Sequence, residues 1–559
     1  MSAGNFNLRE EIGKIVSEYV GIESTTNTVH EKKVEPFLGG WFADQEYFRD
    51  NPDLWGMHPV DNDPLERRVV WGMVKGNRAE TIVLLHHYDV IDAEEFEAAK
   101  PFAHDLKHIR FHLRKMIHKF DADARKDLKD ERWQFGRGVA DMKAGGAIQM
   151  ALLKKYSLCK NVQGNIVLCC LPDEENLSAG MRSAVKLLSA LKETHGLNYR
   201  LMIDSEPHER VAADTGVIYE GSVGKITPVF YVRGSVAHVG SAFDGLNPLH
   251  LLSDLMIHTE LNMDLSEHVS DGVIPPPSWL YLRDKKEGYD VSIPTVACAA
   301  MNALTLNVRP EAFLKKLKTI AVQSFENVLE RIDTSYRRYV KESGRSSGKL
   351  PWRVQVKTFS EVYDEIINTH GIEFETSYRR EQLSLGEKIN RGSVNLIEGS
   401  FSMMAFCLRY FPDKTPIVVI GLSPPYYPDV CNDRVRDISP AVKNIARLVN
   451  EFSMKSWNQP YVAKKYFTGI SDLSYSYTPE GDINVSHVAD NMPLWGTNYQ
   501  IPFEEIKKIK MPCVNVGPWG KDLHKLTERV CTHDLYEKTP AIVDFLIQQV
   551  LIADSESVG

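Results

Sequence analysis

The stretch "TIVLLHHYDVID", Thr81 to Asp92, begins as a run fit for a buried strand and ends in two histidines, a tyrosine and an aspartate. A short apolar run of this kind reads as a core strand. One histidine at its end could be a satisfied core residue, but two histidines and a carboxylate ask for a chemical reason. Residues two apart in an extended chain point the same way, so His87 and Asp89 share a face and His86 points to the other. Asp89 can accept the ring N–H of His87 that a metal does not use. His86 is read as packing beneath the site or bonding locally.

Working outward, "LREEIGKIVSEYVGI" reads as a helix and "RRVVWGMVKG" as a strand before this stretch. After it come the helix "AGGAIQMALLKKYSL", the strand "GNIVLCCLPDEE", the helix "GMRSAVKLLSALKETHG" and the strand "YRLMIDSE". Strands separated by helices of this length mean βαβ units and a largely parallel sheet. Ligands of such sheets collect outside the carboxyl ends of the strands. From Gly221 the character changes: a strand "KITPVFYVRG", a helix "NPLHLLSDLMIHTEL", a strand "TVACAAMNALTLNVR", a long helix from Pro310, and "WRVQVKTFSEV", which alternates like a strand. "TPIVVIGL", "SPAVKNIARLVNEFS", "MPCVNVG" and "TPAIVDFLIQQVLI" then return to an α/β pattern. The expected organisation is an α/β catalytic domain in two parts, 1–218 and 363–559, around an α+β unit at 219–362. A charged helical insertion at 91–133 carries His108, His112 and His118, which are read as lying on a solvated face.

The chain has 559 residues, too many for one core. Its 43% hydrophobic and 25% charged residues are ordinary for a globular protein. A net charge of −9 argues against nucleic acid or an anionic membrane as partner. No apolar run approaches the ~18 residues of a membrane span, and the N-terminus lacks a signal-peptide core. Eight cysteines with no CxxC spacing suggest reduced thiols and a cytoplasmic location. "GSVGK" fails as a phosphate loop, and no G-x-S-x-G elbow suggests a serine hydrolase.

Five short clusters fall at strand ends: "HYD" with His87 and Asp89, "GRGVADMKAGG" with Asp141, "PDEEN" with Glu174 and Glu175, "IDSEP" with Asp204 and Glu206, and "GPWGKDLHKLTE" with His524. Each alone is weak. Together they gather two imidazoles and several carboxylates at one sheet edge, a concentration of like charge that a pair of divalent cations resolves. Imidazole with carboxylate suits Zn²⁺, with Mn²⁺ and Co²⁺ as alternatives. A carboxylate such as Asp141 can bridge two ions ~3.5–4 Å apart. Of adjacent Glu174 and Glu175, one can ligate while the other acts as general base.

In their order and spacing these motifs resemble those of the dinuclear zinc peptidases and deacylases, the family of glutamate carboxypeptidase, succinyl-diaminopimelate desuccinylase, acetylornithine deacetylase, aminoacylase and carnosinase. The resemblance spans nearly the whole chain. Within that family the insertion after "HHYDVID", "WQFGRGVADMKAG" and "GSVGKITPVFYVRGSVAHVG" are most similar to the arginine-utilisation protein RocB subgroup. The resemblance implies a mixed sheet flanked by helices with an inserted lid and dimerisation domain. It implies two zinc ions held by His87, Asp141, Glu175, His524 and a fifth ligand, with Asp141 bridging. That fifth ligand is Asp204 or Glu206, and its place directly after "YRLMI" favours Asp204. Glu174 would be the general base and Asp89 the orienter of His87. "GSVAHVGSAFDGLNP" matches the lid motif, with His238 stabilising the oxyanion in a partner subunit's site and Asn247 beside the substrate. Arg309 in "LTLNVRP" would bind a substrate carboxylate. Asp472 in "TGISDLSYS" stands where the family has Gly-Gly-x-Asp, so its place at the site rests on an altered motif. The implied activity is hydrolysis of an N-acyl amino acid or short peptide by a metal-bound water, in a homodimer formed through the lid, with arginine catabolism as a setting. The alternative is a non-catalytic metal- and ligand-binding protein that keeps the fold.

Overall fold

In a computed structural model of the chain, residues 6–212, 214–269, 272–344, 348–436, 438–478 and 483–553 are described. They form two compact units: Met1–Val223 with Val430–Pro479 and Pro502–Gly559, and Gly224–Asp429 with Glu480–Ile501. Among the described residues no helix is long and apolar enough to cross a membrane.

The first unit is built on an eight-stranded mixed sheet. Its spatial order is Trp55–Pro59, Arg68–Val74, Asn165–Leu171, Glu80–His87, Asn198–Asp204, Cys513–Asn515, Gly216–Tyr219 and Tyr461–Lys464. The four strands from Asn165–Leu171 through Cys513–Asn515 are parallel, and the flanking pairings at 55–59/68–74, 68–74/165–171 and 513–515/216–219 are antiparallel. Strand Glu80–His87 lies inside this sheet and is buried from Thr81 to His87. Parallel strands are covered on both faces, which is why "TIVLL" is continuously apolar rather than alternating. Helices Ala144–Ser157 and Thr539–Ala553 pack on this strand. The glycines of "DMKAGG" let the first of these approach closely: a Cβ on Gly145 would lie 2.2 Å from the Ser205 carbonyl oxygen, and one on Gly146 would lie 2.5 Å from the His86 ring.

The second unit holds a five-stranded sheet ordered Ser278–Asp284, Val296–Thr305, Gly224–Arg233, Ile417–Tyr427 and Val356–Thr358, with a core of Val229, Phe359, Ile366, Phe374, Phe401, Met404 and Val419 among others. Helices Pro248–Thr259 and Pro310–Ser343 fall where the sequence pattern puts them. Two expectations change. The unit does not end at 362: "TPIVVIGL" begins the strand Ile417–Tyr427, which pairs antiparallel with Gly224–Arg233 instead of joining the first sheet. Periodicity identifies a strand but not its partner. Only Val356–Thr358 of "WRVQVKTFSEV" is strand. Thr358 and Glu361 form a reciprocal capping box that starts the helix Phe359–Asn390, and this local signal outweighs the alternation.

Candidate metal centre

His87 is the last residue of its strand, and Asp89 follows two positions on. Parallel pairing sets Leu85 opposite Asp204, so His87 stands two residues beyond the end of the neighbouring strand, level with Glu206. That register puts Glu206, rather than Asp204, beside His87. His87 Nε2 lies 3.1 Å from Glu206 Oε1 and 3.2 Å from Asp141 Oδ1. Asp204 is committed elsewhere: its carboxylate accepts from the Ser471 hydroxyl at 2.8 Å and from the Ser205 amide at 2.8 Å. Against the preference for Asp204, it is Glu206 that groups with His87 and Asp141 among the described residues.

A second group forms around His524, whose Nε2 is 3.2 Å from Asp141 Oδ2 and 3.1 Å from Glu175 Oε2. In each of the two groups, His87–Asp141–Glu206 and Asp141–Glu175–His524, one ligand atom per residue lies within 4.8 Å of the others. Asp141 belongs to both, and its two oxygens face different histidines. Glu174 is set apart, with Oε2 3.9 Å from His87 Nε2.

The role expected of Asp89 is divided. Its backbone carbonyl, not its carboxylate, lies within hydrogen-bond reach of His87 Nδ1, at 2.9 Å, while the nearest carboxylate oxygen is at 3.6 Å. The carboxylate instead accepts the backbone N–H groups of Glu174 and Glu175, each at 3.1 Å. Asp89 thus fixes both the ring and the turn that carries the two glutamates. The same turn is held from below by Arg67, which is buried and donates to Glu31 at 2.6 Å, to Asp173 at 2.7 Å and to Asp63 at 2.8 and 2.9 Å.

The electrostatics of the cluster call for positive charge. Hydrogen bonds to Asp141 and Glu175 raise the imidazole of His524 to about 10. Burial, with the fields of Glu206, Asp472 and Glu175, pushes Glu174 well above the usual carboxylate range against the pull of His87. Burial and the Asp141 field do the same to Glu206. Two imidazoles and three carboxylates converging on two positions are a donor set suited to two divalent cations, which supply the charge that protons otherwise must. The residues present fit such a pair.

Other predicted residues stand apart from these groups. His86 lies 3.1 Å from the Tyr19 hydroxyl and 3.1 Å from Gln149 Oε1, and burial drives its imidazole down to about 3. Asp472 is buried in the first unit; burial pushes its carboxyl up to about 8 against a hydrogen bond from Ser178 and the field of His87. His238, Asn247 and Arg309 lie in the second unit. His238 is exposed and takes the Gly240 amide on Nδ1 at 3.1 Å. Asn247 caps the helix Pro248–Thr259 through the Leu249 amide at 3.0 Å. Arg309 is exposed at the start of the helix Pro310–Ser343. His108 and His118 are exposed, and His112 stacks on Phe102.

Several contributors went unassigned in the sequence. Glu528 is buried and accepts the amides of Ala140 and Asp141 at 3.0 and 3.3 Å, so it fixes the backbone at Asp141. Arg137 donates to Glu528 at 2.6 Å. Lys143, buried, donates to the Ile22 carbonyl at 2.6 Å. All three sit inside the quoted motifs, where that context was the available signal. Arg67 and Glu31 had none, because their partnership spans distant parts of the chain.

Residues 119–545 match the family model described as peptidase family M20/M25/M40. The chain is 30% identical over 560 residues, 99% of each chain, to an uncharacterized protein of Bacillus subtilis called YqjN, and 27% identical to the RocB protein of the same organism, covering 98% of this chain and 95% of that one. Among solved structures its fold is similar to the aminopeptidase PepT of Bacillus cereus, at 12% identity and a TM-score of 0.51 over 98% of this chain and 100% of that one. It is also similar to an M20 family metallo-carboxypeptidase of Sulfolobus solfataricus, at 11% identity and a TM-score of 0.51 over 97% and 100%. With the family model covering most of the sequence and a candidate metal-binding cluster at the strand ends, the chain belongs to peptidase family M20/M25/M40 and is a metal-dependent hydrolase.

Proposed function

We propose that the chain hydrolyses the amide bond of an N-acyl amino acid or short peptide at a pair of zinc ions, with an arginine- or ornithine-derived substrate as the first class to test. One observation carries the reading: the two carboxylate oxygens of Asp141 face two different histidines, each in its own group of potential ligands. His87, Asp141 and Glu206 would hold one ion, and Asp141, Glu175 and His524 the other. Bound there, the ions supply Lewis acidity for the carbonyl and lower the pKa of water.

The rest falls to the chain's own side chains. Glu174, 3.9 Å from His87 but a member of neither group, takes a proton from the attacking water and passes it to the departing amine nitrogen. Its raised affinity for a proton suits that exchange. Asp89 keeps His87 oriented and the Glu174–Glu175 turn in place. Asp472 lines the substrate side, and Arg309 and Asn247 belong to the substrate contacts. His238 is exposed and available to reach the site of a second copy in a homodimer formed through the lid, where it would stabilise the oxyanion. All eight cysteines are free thiols, in keeping with a cytoplasmic setting.

The test is Glu174→Gln, assayed on a panel of N-acyl amino acids and dipeptides that includes arginine and ornithine derivatives. Metal content should match wild type while turnover falls about 10²–10⁴-fold. Retained hydrolysis sinks the role of Glu174. Stoichiometric metal and ligand binding by wild type, with no hydrolysis across the panel, favours the sensor reading, which gives Glu174 no task.

A further inference from the structure

The charged insertion does not simply lie on the surface. It has an apolar cluster of its own, with Phe96, Ile109, Leu113, Phe120, Ala124 and Leu128 packed with Trp133 and Phe135. The short helix Ala122–Asp127 rests on this cluster through Ala124. It presents Asp123 and Asp127 together, four residues apart on one helix face. Both carboxylates meet the segment that carries His524.

That segment runs from the strand Gly520–Lys521 to the strand Arg529–Cys531. Within it Asp522 and His524 have φ of +55° and +64°, and the His524 side chain is 49% exposed. Leu523 and Leu526 are partly buried against neighbouring apolar clusters, while ion pairs hold the loop at its two ends. At one end Lys521 donates to Asp123 at 2.7 Å and to Asp127 at 2.8 Å. At the other the guanidinium of Arg529, 1% exposed, donates to Asp127 at 2.8 Å through Nε and to Asp123 at 2.7 Å through Nη2. Its Nη1 pairs with Asp522 and donates to the Thr527 carbonyl at 3.0 Å. Asp522 closes the loop by accepting from the Thr527 hydroxyl at 2.7 Å. A second tie leaves the start of the insertion: Arg137 donates to the Asp92 carbonyl at 3.1 Å, pairs with Glu95 and donates to Glu528, which in turn holds the Asp141 amide.

We propose that the insertion is a positioning element for the metal centre, in which Asp123 and Asp127 draw together the two ends of the His524 loop through Lys521 and Arg529 and so aim the His524 imidazole at Asp141 and Glu175. This rests on the reading of His524 as a metal ligand. Residues that orient a ligand from behind typically contribute ~10–100-fold in metal affinity or activity.

The test is Asp127→Asn in the full chain, which keeps the shape of the side chain and removes its charge. Zn²⁺ binding is followed by titration calorimetry and Co²⁺ binding by visible absorption. Wild type should take up two equivalents. In Asp127→Asn one site should weaken about tenfold or more with an altered Co²⁺ spectrum while the other is unchanged, and kcat should fall with KM held. Asp127→Glu should recover part of the loss. If Asp127→Asn does not fold, Asp123→Asn and Lys521→Met decide, each expected to weaken the same site by less. Unchanged affinity at both sites in the folded variants overturns the proposal. His524→Ala is the separate control: if it leaves both affinities unchanged, it is the ligand reading that fails.

Discussion

The two histidines of the centre reach nearly the same distance from Asp141 by different means. His87 ends a strand of the central sheet, is 1% exposed, and has its ring set by a carbonyl two residues away. His524 sits on a loop at positive φ, half exposed, with ion pairs at either end of the loop. At one pole precision comes from register and close packing; at the other it comes from charge. The first should resist salt and surface substitution, whereas the second should feel both, since partly exposed ion pairs are screened.

The largest expected effect comes from removing either proposed ligand. His87→Ala should lose turnover and bind metal poorly at both positions, because its site also positions the shared Asp141. His524→Ala should lose turnover yet keep one equivalent of metal, read by elemental analysis after dialysis. Equal metal loss in both variants would remove the proposed asymmetry. Next, Arg67→Met leaves Glu31, Asp63 and Asp173 facing one another without their cation. Stripping one partner from a buried network costs about 3–5 kcal/mol, so urea unfolding should shift by that amount. A shift under about 1 kcal/mol would mean that the sheet-borne pole owes its order to packing alone. Glu206→Gln should weaken metal binding at the His87 pole while Asp204→Asn leaves stoichiometry at two, and the reverse result would restore the assignment favoured by strand position.

The smallest effect is one of pH. The folded pKa of His86, about 3, is below its ordinary value near 6.5. A depressed histidine contributes stability that is complete above the unfolded pKa and is lost as pH falls toward the folded one. His86→Asn, less stable at neutral pH for want of the Tyr19 and Gln149 contacts, lacks that loss. The gap between the two urea midpoints should therefore narrow from about pH 7 to about pH 4.5. A constant gap would show that the imidazole is not held neutral.

Much of this was legible before any coordinate. The alternation of helix and strand announced the parallel core, and the motifs at strand ends named the residues that converge around Asp141. What was not legible depended on register and on distant partners. Strand position favoured Asp204 over Glu206, and only the pairing of Leu85 with Asp204 shows that His87 stands beyond that strand, level with Glu206. The division of labour in Asp89 depends on a turn 85 residues away. Ile417–Tyr427 had the pattern of a sheet strand, but pairing alone could place it in the second unit. Nothing in the insertion signalled the pairing of Asp123 and Asp127, because their basic partners lie some 400 residues further on.

One arrangement bears on how the chain reaches this state. Strand Cys513–Asn515 lies between Asn198–Asp204 and Gly216–Tyr219, and Arg529–Cys531 pairs with Trp133–Phe135. The central sheet cannot be continuous, nor His524 delivered, until a segment near the end of the chain has returned across most of its length. Long-range pairings of this kind form slowly, although the entropy of closing a loop grows only with the logarithm of its length. During synthesis the earlier strands must therefore wait with an open slot between them and with one pole of the acid cluster unanswered. A chain interrupted before residue 513 leaves Asn198–Asp204 and Gly216–Tyr219 without the strand that pairs with both, and unpaired strand edges of this kind are where aggregation competes with folding.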